Sequence, residues 1–461
     1  MRISAPTALI VAVTLCMSVP LAVLYIAEKL SMSPSITWHA SQEAGSILLS
    51  KKHPIPSDKQ AVSPMSPSLP VELISNTTSS ISSSVEGEGR AMPTHVPPVL
   101  IAIDKGKTFQ HPFPLPMQRG QFTKDKPWVE KDCTTEEGQP LSCTFSLHSE
   151  AMKTAEGIYY HMPSNMDMPK KSSPQQVLFC VAEESPSYYP TLNDANHMSK
   201  CDAEATLRTC SQVRQYFYER LQDKVTGRLD MHVPPVPFEV KQHALVYING
   251  NCYPPSGRGK IMEGLLALGD TAKVPVHSYG ACQNNRHLDE KNKEAGGAKT
   301  GVISKYKFCV AMENSISYEY VTEKIWEGLA SGCIPVYLGT PNIRDLVPDP
   351  GSVIVYGPGG DVNSPLELDA LMHKIGSDRA LYESYLAWKT KPLASLGSFY
   401  RNSFLPEIQT TNECRMCRFI VQHRKNPQQK YTTCLFNETW MEARRKAGIG
   451  RKSFVRRRQR S

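Results

Sequence analysis

Charge imbalance is missing from this chain everywhere except its last stretch. The 461 residues sum to a formal +8, but residues 441–461 alone hold nine Lys or Arg and one Glu, so the remainder is neutral. A neutral body excludes nucleic-acid binding by bulk charge. Only the tail can meet anionic surfaces, and its plainest reading is a solvated terminus. Charged side chains are also missing altogether from residues 3–27, which excludes an ordinary surface segment there. A second CxxC is missing beside Cys414-x-x-Cys417 and Cys434. His423 can complete a zinc set, but zinc takes four ligands and a disulfide reading fits these cysteines better. His232 and His243 have no partner at metal-ligand spacing and read as structural. No internal repeat is present.

What is there suits a lumenal protein. About 20 apolar residues span a bilayer, and the uncharged run is longer than a signal-peptide core and ends in no clear small-x-small site. Residues 5–27 therefore read as an uncleaved anchor behind a cytosolic tail of residues 1–4, with a cleaved signal peptide as the competing reading. Of 13 cysteines, Cys16 lies in this segment and an even dozen follow, as an oxidising compartment favours. Asn76-Thr77-Thr78 and Asn437-Glu438-Thr439 read as N-glycosylation sequons. Residues 31–90 hold 25 Ser, Thr or Pro, too polar a stretch to bury a core, so residues 28–125 read as a stem.

The rest, 21% charged and 40% hydrophobic over the whole chain, reads as two domains and a terminal piece. Residues 126–235 carry strand candidates Ile158-Tyr159-Tyr160 and Val177–Ala182 and a helical pattern over Arg208–Leu221, and His232–Pro237 reads as a connector. Residues 236–400 alternate apolar runs with helical patterns. The runs are Ala244–Ile248, Val274–Ser278, Tyr306–Met312, Ile334–Leu338 and Ser352–Val355, and the alternation argues for a parallel α/β sheet. Residues 401–461 hold the cysteine cluster and the basic tail.

The densest information lies in Tyr306–Gly339, YKFCVAMENSISYEYVTEKIWEGLASGCIPVYLG. An apolar strand ends in Glu313-Asn314-Ser315. Val321, Ile325, Trp326 and Leu329 then recur at helical spacing and Gly332 can end the helix. Ligands of parallel sheets bind beyond the carboxyl ends of strands, and Glu323-Lys324 sits where a lysine and a helix N-terminus can share a phosphate. The glycine- and proline-rich loop Asn249–Arg258 follows another strand and can offer backbone N–H groups and Arg258 to the same anion, though from spacing alone an ordinary turn with an exposed Arg reads slightly better. Glu183-Glu184-Ser185-Pro186 follows Val177–Ala182, and a carboxylate at a strand end suits general-base work.

Tyr306–Gly339 closely resembles the donor motif of the α1,3-fucosyltransferases, glycosyltransferase family 10. That motif runs YKF, EN-S, [DE]-Y-[VI]-TEK-[LI]-W and G-x-[VI]-PV, in the same order and spacing. Asn251-Cys252, Ser256, Arg258 and Tyr279-Gly280-Ala281-Cys282 are similar to a second motif of the family, with Gly250 standing where the family has serine. The resemblance implies a GT-B architecture, two Rossmann-like domains facing a cleft. It makes Arg258 and Lys324 ligands of the GDP-fucose diphosphate, Glu323 a ligand of the ribose hydroxyls, and Asn314 and Tyr320 part of the donor pocket. It makes Glu184 the general base, with Glu183 as the fallback. Two fixed cations and a helix N-terminus can stabilise a leaving diphosphate without metal. Many metal-dependent sugar transferases use Asp-x-Asp, which is absent here. No cofactor is therefore expected beyond the donor, and Mn or Mg at most stimulates.

Tyr188-Tyr189-Pro190, the pair Cys133 and Cys143, and Tyr160-His161-Met162-Pro163 resemble the branch that fucosylates the N-glycan core. The implied reaction is inverting transfer of L-fucose to O3 of a GlcNAc by a single-pass type II Golgi membrane enzyme. The alternatives are an antenna (Lewis-type) enzyme or an inactive glycan-binding relative. One segment departs: within Thr191–Val240 the family's strand similar to M-T-Y-x-x-x-S-D is missing, and CDAEATLRTCSQVRQYFYERLQD stands in its place. That region lies near the acceptor in the family, so the departure bears on the acceptor. Cys309 and Cys333 fall in expected buried strands and read as free thiols.

Overall fold

The computed structural model describes residues 96–104, 125–164, 167–216, 231–287 and 299–447, all within one compact unit. The expected anchor, the stem as far as residue 95 and the tail beyond residue 447 lie outside the described residues. Among the described residues, no helix is long and apolar enough to cross a membrane.

Two sheets organise the unit. The first contains β1 (Val99–Asp104), β2 (Trp128–Glu130), β3 (Cys143–Ser146), β4 (Gly157–His161), β5 (Val177–Ala182) and β6 (Ala203–Thr206), in the order β2-β3-β1-β4-β5-β6. Only β2 runs antiparallel to its neighbour. The second contains β7 (Gln242–Asn249), β8 (Val276–Gly280), β9 (Tyr306–Met312), β10 (Ile334–Leu338) and β11 (Ile354–Val355), all parallel, in the order β11-β10-β9-β7-β8. Helices α1 (Arg258–Leu266), α2 (Glu323–Ser331), α3 (Pro365–Ser377) and α4 (Arg379–Leu386) accompany the second sheet. Helix α2 ends where Gly332 turns left-handed at φ 67°, as its position after the last periodic residue predicts.

The first sheet is completed from the far end of the chain. Helix α5 (Asn412–Lys425) lays Met416 and Ile420 into the same core as Val99, Ile101, Phe145 and Phe179. Cys133–Cys414 and Cys143–Cys417 disulfides fix it there. Helix α6 (Glu438–Lys446) follows, behind a Cys210–Cys434 disulfide. The remaining pairs are Cys180–Cys201, Cys252–Cys282 and Cys309–Cys333.

Three expectations are corrected. Val99–Asp104 lies inside the stretch read as stem, yet its VLIAID run forms a strand buried between β3 and β4. The helical pattern over Arg208–Leu221 is not a helix in its described part. Arg208 is buried with Nη2 donating to Leu192 O and Asn193 Oδ1, and Cys210 is bonded to Cys434. These long-range ties override the periodicity. Cys309 and Cys333 are bonded to one another, because parallel pairing of β9 with β10 brings the strand and the residue before its neighbour together.

Candidate active site

The carboxyl ends of β5, β7 and β9 meet. Beyond β5, whose six residues are all buried, the chain turns through Glu183-Glu184-Ser185. Beyond β9 it turns through Glu313-Asn314-Ser315. The Ser185 and Ser315 hydroxyls hydrogen-bond one another across the two sheets. Tyr320 Oη donates to Glu184 Oε2 at 2.6 Å, and Asn251 Nδ2 donates to Tyr188 Oη at 3.2 Å. Three side-chain contacts thus join the expected base segment to both donor loops.

Glu184 is half-buried. Burial raises its carboxyl above the ordinary value, and the Tyr320 hydrogen bond and the charge of Lys324 oppose that rise, while Glu313 and Glu323 add to it. A carboxylate raised by burial is a stronger proton acceptor than one in water, which is what a base for a hydroxyl needs.

Lys324 stands in the first turn of α2 among acceptors. Its Nζ lies 3.2 Å from Glu313 Oε2, 3.1 Å from Glu323 Oε1 and 2.7 Å from Thr322 Oγ1. Burial pulls its ammonium down, but Glu313 and Glu323 outweigh that and hold it above the ordinary lysine value. Glu323 experiences the converse. Burial pushes it up, and Lys324 and Lys299 pull it down to about 2. Lys324 is therefore a fixed cation and Glu323 a fixed anion across the physiological range.

Glu313 is the residue that the motif contained but that received no role from the sequence. It is fully buried, and burial raises its carboxyl against the pull of Lys324. Its oxygens accept from Thr322 N at 2.8 Å and Thr322 Oγ1 at 2.7 Å as well as from Lys324. It clamps the start of α2 to the end of β9. Gly339 leaves room for it and for Tyr337, since a Cβ there would come within 2.3 Å of Tyr337 Oη and 2.8 Å of Glu313 Cγ.

Arg258 is placed differently from the exposed cation its loop suggests. It is 1% exposed, with Nη1 donating to Met312 O at 2.7 Å and Nη2 to Asn249 Oδ1 at 2.6 Å. It braces the ends of β7 and β9 from beneath. Its Nε and the Oδ1 of Asn314 are both buried without a hydrogen-bond partner. A donor and an acceptor left unpaired beside the strand ends are costly unless a polar ligand completes them.

The six residues named from the sequence, Glu184, Arg258, Asn314, Tyr320, Glu323 and Lys324, thus all lie on loops or helix starts following β5, β7 and β9. Tyr320 lines the site by holding Glu184. Among the described residues, no group of three or more His, Cys, Asp or Glu is placed to hold a metal ion.

The sequence profile of glycosyltransferase family 10 (fucosyltransferase), C-terminal, matches residues 238–435. The chain is similar to GDP-fucose protein O-fucosyltransferase 3 of Rattus norvegicus, 28% identical over 318 residues, covering 63% of this chain and 61% of that protein. The protein of the same name from Mus musculus is 35% identical over 166 residues, 34% of this chain and 33% of that one. The chain therefore spans about three fifths or less of these two relatives. A crystal structure of an alpha1,3-fucosyltransferase with GDP-fucose superposes with a TM-score of 0.45 at 16% identity, covering 76% of this chain and 95% of that one. Residues 238–435, which carry the donor motif at the ends of β7 and β9, thus match a glycosyltransferase family 10 (fucosyltransferase) C-terminal domain.

Proposed function

We propose that this chain transfers L-fucose from GDP-fucose, with inversion, to a hydroxyl of a polypeptide acceptor. The observation that carries the transfer chemistry is the contact of Glu184 with Tyr320, beside Lys324 in the first turn of α2. Glu184 takes the proton of the acceptor hydroxyl as its oxygen attacks the anomeric carbon. The bond from that carbon to the diphosphate oxygen breaks on the opposite face, through an oxocarbenium-like transition state. Negative charge grows on departing GDP, where Lys324 and the N–H groups opening α2 oppose it. Glu323 accepts from the ribose hydroxyls. Asn314 Oδ1 and Arg258 Nε supply the acceptor and donor that the protein leaves unpaired.

The acceptor rests on two supports. The relatives bear the name protein O-fucosyltransferase. The segment within Thr191–Val240 that departs from the family's α1,3 motif also forms β6 and holds the Cys210–Cys434 bond. The second reading is transfer to O3 of the innermost GlcNAc of an N-glycan, supported by Tyr188-Tyr189-Pro190, whose Tyr188 contacts the donor loop. Six disulfides support a secretory lumen, and we place the protein in the Golgi as a type II membrane protein.

The test incubates the full chain with GDP-fucose, a panel of secreted polypeptide domains and a panel of N-glycans, and reads products by mass and linkage. Fucose on Ser or Thr supports the polypeptide acceptor. Fucose only on GlcNAc O3 overturns it in favour of the second reading. GDP binding without transfer to any acceptor removes the enzyme assignment.

A further inference from the structure

Glu319 sits one residue before Tyr320 and has a backbone unlike its neighbours. Its φ is 59°, the left-handed region that a glutamate enters only when its surroundings impose it. The surroundings are four hydrogen bonds. Its N–H donates to Thr340 Oγ1 at 2.8 Å. Its carboxylate, 4% exposed as a residue, accepts from Thr209 N and Thr209 Oγ1, each at 2.7 Å, and from Trp440 Nε1 at 2.8 Å. Thr209 belongs to the segment after β6, and Trp440 to α6. Cys210, next to Thr209, is bonded to Cys434, six residues before Trp440. Trp440 is itself held, with Arg208 4.9 Å and Arg444 5.6 Å from its ring and Tyr318 edge-on at 5.7 Å.

We infer that Glu319 is a positioning residue for transfer, fixing the turn that aims the Tyr320 hydroxyl at Glu184, and that α6 is through Trp440 a working part of the active site. The inference rests on the base role of Glu184 proposed above. Its physical content is narrow. Tyr320 has one geometry in which it reaches Glu184 Oε2, and its backbone begins at a strained residue. Within the loop, Tyr320 N donates to Ser317 O at 3.2 Å, closing a turn that has Glu319 as its third residue, and the three bonds to the Glu319 carboxylate, from residues more than a hundred positions away, hold that turn in place. Releasing them lets Glu319 relax toward ordinary φ and swings Tyr320 off the base.

The groups facing Glu184 are Tyr320, Lys324, Glu313 and Glu323 from the donor side and Tyr189 from its own loop. Of these, Tyr320 is the one donating to it. Its loss leaves burial less opposed, so Glu184 ionises at higher pH.

The experiment compares wild type with Glu319→Gln and with Trp440→Phe, each as the full chain. Glu319→Gln is expected to lower kcat at least tenfold, to leave GDP affinity within about twofold, and to move the acidic limb of the pH–rate profile upward. Trp440→Phe, which removes one of the three bonds, is expected to show a smaller change in the same direction. Fluorotyrosine labelling gives a readout that needs no turnover. The fluorine resonance assigned to Tyr320 by Tyr320→Phe should titrate with Glu184 in wild type, at a higher midpoint in Glu319→Gln. An unchanged pH limb and an unchanged fluorine titration, with activity falling only as far as the melting temperature does, overturn the inference. Absence of transfer by wild type overturns the proposed function instead, and the fluorine titration still decides the role of Glu319.

Discussion

The two sides of the candidate site are built on opposite plans. The donor side is local: β9, its loop, α2 and β10 lie within Tyr306–Leu338, and the clamp of Glu313 on Thr322 and Lys324 closes over 11 residues of sequence or fewer. The base side is assembled from afar. β5 supplies Glu184, but the sheet behind it needs α5, and the loop facing it needs Thr209 and Trp440. A motif can describe the first plan, because all its parts are neighbours in sequence. The second plan has no contiguous signature.

Substitutions can test that division, beginning with the largest effect. Glu184→Gln should cut transfer by about 10²–10⁴-fold while GDP binding, measured by calorimetry, stays near wild type. A near-normal rate would move the base elsewhere. Lys324→Ala should weaken GDP binding and lower turnover together. It also leaves Glu313 and Glu323 facing each other without their shared cation, a loss on the order of 3–5 kcal/mol that a thermal melt would show. Removing Cys210 and Cys434 together, as serines, should lower transfer several-fold with GDP binding retained. Equal loss of both would mean that the two plans are not separable.

Smaller in size is the pH effect. As the proposed base, Glu184 must be ionised to accept a proton, so the rate should fall as pH drops through its raised value. Tyr320→Phe removes a hydrogen bond that favours the carboxylate, so the falling limb should move to higher pH by up to about one unit. A limb that stays in place would detach Tyr320 from the base. The smallest expected effect is that of EDTA, which should leave most activity if Lys324 and α2 carry the leaving charge as proposed. Complete loss would require a metal in the step.

Legibility in the sequence followed the same division. Val177–Ala182, Tyr306–Met312 and Ile334–Leu338 are strands over the residues that their apolar runs mark, since each is buried on both faces and bounded by polar turns. Gly332 ends α2 where periodicity places it. The even dozen cysteines pair completely, as an oxidising compartment predicts, but their partners could not be read. Cys309 and Cys333 looked like core thiols because apolar strands hide free and bonded cysteines alike. Val99–Asp104 was hidden by the polar stretch on either side of it, and its partner strands come from residues 143–146 and 157–161. Arg208 carried a helical period but is held in an extended turn by Leu192 and Asn193. In the site, the motif gave Glu323 and Lys324 and passed over Glu313, because burial, which decides that residue's role, is not a property of spacing. Trp440 offered no signal at all.

The return of the chain to its own beginning also has a history in time. Cys133, Cys143 and Cys210 find their partners 281, 274 and 224 residues later. At roughly 5–20 residues per second, Cys133 waits roughly 15–55 s of synthesis before Cys414 exists. Through that interval three thiols and the apolar face that α5 will cover stand without their partners, whereas the Cys252–Cys282 and Cys309–Cys333 pairs can form almost as they emerge. The donor half can thus mature during translation. The half that carries Glu184 is completed only after α5 and Cys434 have been made, so its assembly lags behind that of the donor half.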